Sequence, residues 1–190
     1  MKNRKYNKLK KCEHYPALFY DAESDTFVKY YHGRYGLEKW WNIYREYQEF
    51  EPRAVKVLEV NLKRNYFVME SIKGINLEHE MIQLNFEDTR KVLVQTLDIF
   101  SNQFNFKCDC LYETEVFYHK DFRTENLMFD ENNTVRIVDP DSFSAVPLDR
   151  MNNLLFFGRY MDTLYSIRER LSFAELTEDQ KYRLGRGYLY

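Results

Sequence analysis

The sequence predicts an α+β fold: a small antiparallel sheet with one helix comes first, and a mainly helical part that carries a β-hairpin follows. Three observations support this prediction. Short apolar segments separated by polar turns fill much of the first part of the chain, as expected for antiparallel strands. From Phe86 to Phe106, apolar residues recur at helical spacing. Two further apolar segments flank the polar turn Asp130–Asn133, a pattern that is typical of a β-hairpin.

Composition narrows the class of protein. The chain has 190 residues, of which 44% are hydrophobic and 17% aromatic, enough for one domain or two small lobes that share a cleft. A formal net charge of −2 gives no global attraction to nucleic acid. The longest apolar runs are far shorter than a membrane span, and the N-terminus lacks the apolar core of a secretory signal. Three cysteines, an odd and sparse number, favour a reducing, cytoplasmic setting.

The first predicted elements follow a basic segment. Met1–Lys11 carries six lysines and arginines and little apolar content, which favours a solvated arm over one that contacts the phosphates of RNA or anionic lipid. Ala17–Tyr20 and Thr26–Tyr31 predict two antiparallel strands joined by an acidic turn. Gly36–Phe50 predicts a helix, because its large apolar residues lie three and four apart and Pro52 follows its end.

The rest of the chain predicts a second hairpin and further helices. Ala54–Asn61 and Asn65–Glu70 predict two strands with a basic turn between them. A short strand is predicted at Val116–Tyr118. Helices are predicted at Leu77–Leu84, Phe86–Phe106 and Leu148–Leu171, and a cap that opens a last short helix at Thr177–Gln180.

The later hairpin brings two oxygen-bearing side chains together. Asn126 lies just before its first strand, Leu127–Phe129, and Asp139 just after its second, Val135–Val138. Neighbouring strands lie about 5 Å apart, so we expect the amide and the carboxylate to converge at one open end. Such a pair suits Mg²⁺, which favours carboxylates, water and substrate phosphates. Asp and Asn also mark ordinary turns, but their joint spacing around two strands favours the metal site.

This region resembles the catalytic core of the protein-kinase superfamily. The stretch HKDFRTEN, which begins at His119, resembles the H-R-D-x-x-x-x-N catalytic loop, and the triplet DPD, which begins at Asp139, stands where D-F-G is found. The resemblance implies that Asp121 orients or deprotonates an acceptor hydroxyl, and that Arg123 neutralises the transferred phosphoryl group. It also implies that Asn126 and Asp139 hold Mg²⁺ against the β- and γ-phosphates of ATP.

The resemblance extends to the first lobe. The segment FVKY, which begins at Phe27, is similar to the V-A-I-K strand, with Lys29 as the phosphate-binding lysine. In kinases the helix after this strand supplies a glutamate that pairs with the lysine. The resemblance therefore implies that Glu46, within the predicted helix, pairs with Lys29.

A third segment is similar to the hinge that joins the kinase lobes. It reads MESIKG and begins at Met69, which the resemblance implies is the gatekeeper. The carbonyl of Glu70 and the amide of Ile72 would bond the adenine edge, because a strand that leaves its sheet has backbone groups without ladder partners. We expect the adenine to lie between Phe27 and Met128, in a flat apolar slot.

The chain also departs from the family pattern. No G-x-G-x-x-G loop precedes Lys29, Pro140 and Asp141 replace the last two residues of D-F-G, and no A-P-E motif follows. These departures imply a minimal, atypical member without most of the C-terminal lobe. The expected division is a basic arm at 1–11, an N-lobe at 12–70, a hinge at 71–76 and a reduced C-lobe at 77–190.

The resemblance implies an ATP- and Mg²⁺-dependent phosphotransferase that moves the γ-phosphoryl group to a hydroxyl of a protein, an RNA or a small molecule. Two alternatives stay open. One is a pseudokinase that serves as a binding or scaffold module, and the other is a different chemistry on the same fold, such as nucleotidyl transfer. Fold alone does not choose the acceptor.

Overall fold

The computed structural model describes residues 10–12, 15–32, 36–148 and 154–174. The described strands are β1 (Lys10–Cys12), β2 (Tyr15–Asp21), β3 (Thr26–Tyr30), β4 (Val57–Asn61), β5 (Tyr66–Glu70), β6 (Gly74–Asn76), β7 (Glu115–His119), β8 (Leu127–Asp130), β9 (Val135–Ile137) and β10 (Phe143–Pro147). The described α-helices are α1 (Leu37–Phe50), α2 (Phe86–Asn105) and α3 (Leu154–Ala174). Short 3-10 turns lie at Met81–Gln83, Thr124–Asn126 and Pro140–Ser142.

Five strands form the N-lobe sheet, in the order β1-β2-β3-β5-β4 with antiparallel neighbours. Tight polar turns connect β2 to β3 and β4 to β5. Asp25 and Asn65 occupy the left-handed positions of these turns, with φ of 49° and 54°. Asp and Asn tolerate that region better than most L-residues. Phe27 and Lys29 lie two residues apart on β3, so they share one face of the sheet, which lines a cleft.

An aromatic inner face holds α1 between the lobes. Its buried residues are spaced three and four apart: Leu37, Trp40, Ile43, Tyr44 and Tyr47. The ring of Trp40 packs on Phe67 of β5, while that of Tyr47 packs on Phe143 of β10. Aromatic pairs contribute about 0.5–1.5 kcal/mol each beyond the area they bury. The helix therefore joins both lobes in one core.

A buried carboxylate links the end of α1 to α2. Glu51 is fully buried. It accepts hydrogen bonds from Arg53 Nε at 2.7 Å and from Asn102 Nδ2 of α2 at 2.8 Å. Burial opposes its ionisation, but the hydrogen bonds from Arg53 and Asn102 keep the pKa of Glu51 below its usual value. A charge satisfied in this way fixes the two lobes against each other, because a buried charge without partners is strongly destabilising.

The C-lobe is built around α2. Asn85 caps this helix by accepting a hydrogen bond from the amide of Asp88 at 2.9 Å. The helix packs against β7 of the antiparallel pair β7–β10 and against β9 of the sheet β6-β8-β9. It also packs against α3, where the ring of Tyr160 stacks on Phe100 and the hydroxyl of Thr163 donates to the carbonyl of Phe122 at 2.9 Å. These contacts hold α3 against the loop that follows β7.

Most predicted elements are confirmed with boundaries shifted by a few residues. The predicted Leu77–Leu84 helix is wrong, because only the 3-10 turn Met81–Gln83 forms there. The side chains of Asn76 and Glu80 bond nearby backbone amides at 3.0 Å, which stabilises a turn instead of a helix. The strands β1, β6 and β10 were not predicted, and β1 includes Lys10 and Lys11 of the predicted basic arm. Gly74 opens β6 with φ 151°, where a Cβ would collide with the backbone of Phe129.

Some predictions fall outside the residues that the structure describes. Residues 1–9 of the predicted basic arm and the predicted cap at Thr177–Gln180 belong to this group. Lys10 and Lys11 lie in β1 and pair with β2. In the described segments, no helix combines the length and the apolar character needed to cross a membrane.

Candidate active site

A cavity of about 430 Å³ lies between the N-lobe sheet and the β8–β9 hairpin. Most of the residues predicted from sequence as site residues form its wall: Phe27, Lys29, Met69, Glu70, Ile72, Asp121, Asn126, Met128 and Asp139. Arg123 and Glu46 are not part of the wall. The cavity has an apolar end near β5 and a polar end near the hairpin.

The apolar end combines side chains from both lobes. Phe27 and Met69 come from the N-lobe sheet, and Met128 comes from β8 below them. Leu18 and Val55 also line the cavity and were not assigned to the site from the sequence, and the same holds for Asn76, Glu125 and Val138 elsewhere on the wall. Leu18 and Val55 are each one apolar residue within or beside a predicted strand, so no local signal marked them. The result is an apolar slot between the two lobes.

Glu70 ends β5 at the rim of this slot. Its amide donates to the carbonyl of Lys56 at 3.0 Å, and its carboxylate accepts from the amide of Lys56 at 2.7 Å. The same carboxylate pairs with Arg136 of β9. The carboxylate of Glu70 therefore binds other groups of the protein itself. The predicted hinge role of the Glu70 carbonyl and the Ile72 amide stays a prediction, with both residues on the cavity wall.

The polar end has the hairpin geometry that the sequence predicts. Asn126 precedes β8, Asp139 follows β9, and the amide of Val138 donates to the carbonyl of Asn126 at 3.0 Å. Both side chains consequently line the same cavity. Asp139 adopts a left-handed backbone, with φ 61° and ψ 60°, and the 3-10 turn Pro140–Ser142 follows at once. Within that turn, the Ser142 hydroxyl donates to the Asp139 carboxylate.

A buried histidine supports this turn from behind. Nε2 of His119 lies 3.0 Å from the carbonyl of Val138 and 3.1 Å from that of Asp139. Burial lowers the pKa of His119, so the ring stays neutral near pH 7 and donates from Nε2. The first residue of the HKDFRTEN motif therefore holds the segment that carries Asp139.

Lys29 pairs with two carboxylates at the polar end. Its Nζ forms ion pairs with Asp139 and, at 2.7 Å, with Asp141. Burial opposes the charge of Asp139, but the charge of Lys29 lowers the pKa of Asp139 below its usual value. Burial raises the pKa of Asp141. We call Lys29, Asp139 and Asp141 the lysine cluster.

The predicted pair of Lys29 with Glu46 is wrong for this structure. Lys29 pairs with Asp139 and Asp141, and the charge of Glu46 acts instead on the Cys108 thiol. The reason is the rotation of α1, whose inward face is aromatic. The Asp141 partner was missed in the sequence, although an acidic residue in the place of the D-F-G glycine was a visible signal.

The aromatic face of α1 touches the Asp139–Asp141 segment directly. The indole nitrogen of Trp40 donates to the carbonyl of Pro140 at 3.0 Å, and Trp40 is buried. Pro140 has a fixed φ, which limits the ways this segment can rearrange. α1 therefore supports the turn with a ring and a hydrogen bond, and not with a carboxylate.

Asp121 lies at the outer part of the polar end and is bound by two arginines. Arg123 Nε donates to Oδ1 at 2.8 Å, and Arg159 Nη1 of α3 donates to the same oxygen at 2.9 Å. Partial burial opposes ionisation, but the hydrogen bonds from Arg123 and the charges of both arginines hold the pKa of Asp121 below its usual value. We call Asp121, Arg123 and Arg159 the arginine cluster. Arg159 was missed, because no local pattern links α3 to the catalytic-loop motif.

The donor set at the polar end fits Mg²⁺. The amide nitrogen of Asn126 donates to the carbonyl of Asp121 at 2.8 Å, which leaves the Asn126 carboxamide oxygen to bind a cation beside Asp139. In the lysine cluster one ammonium faces two carboxylates, so a divalent cation would offset the excess negative charge. No cluster of three or more His, Cys, Asp and Glu side chains suited to a metal occurs in the described residues. Mg²⁺ typically completes its shell with phosphate oxygens and water.

The sequence has a partial match among known proteins. A comparison with protein-family models gives no match. The chain is 30% identical over 108 residues to CBL-interacting protein kinase 28 of Oryza sativa subsp. japonica. The match covers 55% of this chain and 23% of that kinase, so the chain spans about a quarter of its relative's length.

The fold is similar to two solved kinase-type structures. One is the Cydia pomonella granulovirus kinase PK-1, with a TM-score of 0.54, 13% identity and coverage of 87% of this chain and 68% of that one. The other is the aminoglycoside phosphotransferase APH(3'')-Id from Streptomyces rimosus ATCC10970, with a TM-score of 0.52, 12% identity and coverage of 87% and 85%. At such identities the likeness concerns the fold. The chain has the α+β protein-kinase-like fold with a small antiparallel N-lobe sheet, as the sequence predicts.

Proposed function

We propose that this chain is an ATP- and Mg²⁺-dependent phosphotransferase, a kinase that moves the γ-phosphoryl group of ATP to a hydroxyl. The observation that carries the proposal is the single cavity wall shared by Lys29, Asp121, Asn126 and Asp139. These residues offer a cation for phosphates, a carboxylate for the hydroxyl and two oxygen donors for a metal, which is the set that phosphoryl transfer uses. The protein-kinase-like fold supports the same proposal.

The nucleotide base is assigned to the apolar end. Phe27 and Met128 face the cavity from different lobes, and an apolar slot of this kind suits a flat purine. Met69 would stand at the back of the slot as the gatekeeper. The Glu70 carbonyl and the Ile72 amide would bond the purine edge, as backbone groups at the end of a strand are suited to do.

The phosphates are assigned to the polar end. Lys29 would bind them, with Asp141 and not Glu46 as the carboxylate that orients its ammonium group. Asn126 and Asp139 would hold Mg²⁺, whose chemistry is to neutralise charge on the phosphates. Because Asp141 lies in the same turn as Asp139, one short segment would position both the lysine and the metal ligand.

Asp121 is proposed to position the acceptor hydroxyl and to take its proton. As the acceptor oxygen bonds to the γ-phosphorus, the bond from that phosphorus to the β,γ-bridging oxygen breaks, and ADP leaves with the bonding electrons. Arg123 pairs with Asp121 and, at 2.8 Å, with Glu125, so its supported role is to orient the carboxylate. Its predicted contact with the transferred phosphoryl group stays a prediction.

A pseudokinase is the second candidate, and one observation favours it. Lys29 is already paired with two carboxylates and Asp121 with two arginines, so the polar end is satisfied by the protein alone. A scaffold module with this network would bind nucleotide weakly or not at all. The turn between β2 and β3, at residues 22–25, also contains no glycine that would let backbone amides approach the phosphates.

The wild type decides between the two candidates, and the Asp121→Asn variant tests the base that the proposal assigns. Asp121 holds no metal in the proposal, so the variant should keep the thermal shift that Mg·ATP gives the wild type. Its kcat for transfer of labelled γ-phosphoryl should fall about 10²–10⁴-fold, the usual range for a lost general base. Asp162→Asn, at an exposed position on α3, serves as the matched control and should behave as wild type.

Two outcomes would reject the proposed function. A wild type that shows neither a shift with Mg·ATP nor transfer to protein, RNA or metabolite fractions would favour the pseudokinase. Full transfer activity in Asp121→Asn would show that the assigned base is wrong.

A further inference from the structure

α3 brings an arginine to the carboxylate that the proposed reaction uses. Nη1 of Arg159 donates to Asp121 Oδ1 at 2.9 Å and to the carbonyl of Lys120 at 3.3 Å. A contact one turn further along α3 holds Arg159 in this position. There the hydroxyl of Thr163 donates a hydrogen bond to the carbonyl of Phe122. An element far from the catalytic-loop motif in sequence therefore reaches the acceptor side of the site.

The two arginines of the arginine cluster differ in what else they bind. Arg123 is shared between Asp121 and Glu125, and the charge of Glu78 also acts on it. Within the part of the chain that the structure describes, the hydrogen bonds of Arg159 run through Nη1 alone. Among those described residues, Arg159 keeps Nε and Nη2 without a partner, whereas Arg123 bonds through Nε and Nη2 and keeps Nη1. About half of the Arg159 side chain is exposed to solvent. Both arginines therefore have donors left, and Arg159 has more of them.

The remaining donors of Arg159 have a defined chemistry. A guanidinium group presents its donors in a rigid planar fork that matches carboxylate and phosphate oxygens. Hydrogen bonds between charged groups of this kind are shorter and stronger than neutral ones. The nearby carboxylate of Glu125 is paired with Arg123, and that of Glu78 accepts a hydrogen bond from the Thr124 hydroxyl. The remaining donors of Arg159 therefore offer an anion a charge-assisted contact beside Asp121.

We propose that Arg159 is an acceptor-binding residue, and that the acceptor is a small hydroxyl compound that also carries a carboxylate or phosphate group. Arg159 binds that anionic group while Asp121, one hydrogen bond away, faces the hydroxyl. The anionic group takes no part in the bond changes and only places the hydroxyl. This inference rests on the proposed phosphotransferase function and names the class of its substrate.

The test measures transfer of the labelled γ-phosphoryl group to two matched sets of alcohols. The first set is glycerate, glycerol and serinol, and the second is glucose 6-phosphate, glucose and glucosamine. In each set the hydroxyls are similar and the charge runs from negative through neutral to positive. We expect the wild type to use the anionic member of at least one set with a kcat/KM about tenfold or more above its neutral partner, as one charge-assisted contact provides.

Three variants assign the preference to Arg159. Arg159→Gln should reduce the ratio of anionic to neutral kcat/KM to about one, mainly through a higher KM for the anionic member. Arg159→Lys keeps the charge without the fork and should give an intermediate ratio. Arg168→Gln, an exposed arginine farther along the same helix, is the matched control and should keep the wild-type ratio.

Several results would overturn the inference and leave the proposed function in place. These are a preference for neutral or cationic members, transfer to protein alone, ATP hydrolysis without transfer to any of the six compounds, and an unchanged ratio in Arg159→Gln. A wild type with no thermal shift and no hydrolysis of Mg·ATP would overturn the proposed function, and the inference with it.

Discussion

The lysine cluster and the arginine cluster hold charge in different surroundings. In the lysine cluster, the side chains of Lys29, Asp139 and Asp141 are 16%, 27% and 8% exposed. In the arginine cluster, Arg123 and Arg159 are 48% and 52% exposed. Exposed ion pairs contribute about 0–1 kcal/mol, whereas a buried charge that loses its partner costs several. We therefore expect substitutions in the lysine cluster to affect nucleotide binding, and those in the arginine cluster to affect turnover and acceptor choice.

The largest effect should come from Asp139→Asn, because Asp139 is both a proposed metal ligand and a partner of Lys29. The variant should lose the thermal shift with Mg·ATP, and its kcat/KM should fall by about 10³-fold or more, since a metal supplies several kcal/mol of charge stabilisation. Asp121→Asn keeps the shift, so the two variants separate the two clusters. An undiminished shift in Asp139→Asn would contradict the metal assignment.

The next largest effect is expected from a substitution at the apolar end of the cavity, which lies outside both clusters. Met128→Asp would put a charge in the slot assigned to the adenine, and ATP affinity should fall about 10²-fold, because an unpaired carboxylate is costly in an apolar site. Calorimetric titration with ATP measures this, and circular dichroism checks the fold. Leu58→Asp, at an exposed position on β4, is the control. Equal ATP affinity in the two variants would place the nucleotide elsewhere.

A comparison of Asp141→Asn with Glu46→Gln tests which carboxylate serves Lys29. Asp141→Asn should raise the KM for ATP about tenfold, because it removes a buried partner of the lysine. Glu46→Gln should change it by no more than about twofold, as for a carboxylate outside the site. In a double-mutant cycle with Lys29→Met, only the Asp141 variant should be non-additive. A larger effect from Glu46→Gln would mean that α1 turns toward the lysine when nucleotide binds.

The smallest effect should be a change in the pH dependence of kcat/KM when the arginine cluster is altered. Burial raises the pKa of Asp121, but Arg123 and Arg159, with a smaller contribution from His119, bring the net pKa below its usual value. Asp121 therefore stays ionised to lower pH than an ordinary aspartate, so the acid limb that this group gives to the wild-type kcat/KM lies below the limb of an unperturbed carboxyl. Arg159→Gln removes one of the positive charges that lower the pKa of Asp121, so the acid limb should move to higher pH. A limb that moves to lower pH would contradict this electrostatic assignment.

The sequence was sufficient where local geometry decides the structure. The β8–β9 hairpin follows from two short apolar runs around a polar turn, and its geometry alone brings Asn126 and Asp139 together. Pairing of the two strands is enough to place Asn126 beside Asp139, so this placement does not depend on the rest of the fold. Lys29 and Phe27 were assigned from the resemblance to the kinase lysine strand, and their shared face of β3 places both on the cavity wall.

The sequence was insufficient where packing decides. Glu46 was assigned by the resemblance, but the aromatic residues of α1 set the rotation of that helix, and Tyr47 takes the inward position beside it. The bulky rings at helical spacing are visible in the sequence. They predict this rotation when their burial is given more weight than the resemblance to the kinase helix. Arg159 is 38 residues from Asp121, and their contact depends on how α3 packs against α2. No local pattern carries that information.

The hydrogen bond from Trp40 to Pro140 gives the protein an optical reporter. The chain has two tryptophans. The indole N–H of Trp40 donates a hydrogen bond to the carbonyl of Pro140, which lies between Asp139 and Asp141. Indole emission depends on the field and the hydrogen bond at that nitrogen, so a change in charge at the lysine cluster alters the fluorescence of a buried ring. Replacement of Trp41 by phenylalanine leaves Trp40 as the single indole. Binding of a ligand in the cavity can then be followed by the intrinsic fluorescence of Trp40, without an added label and without turnover.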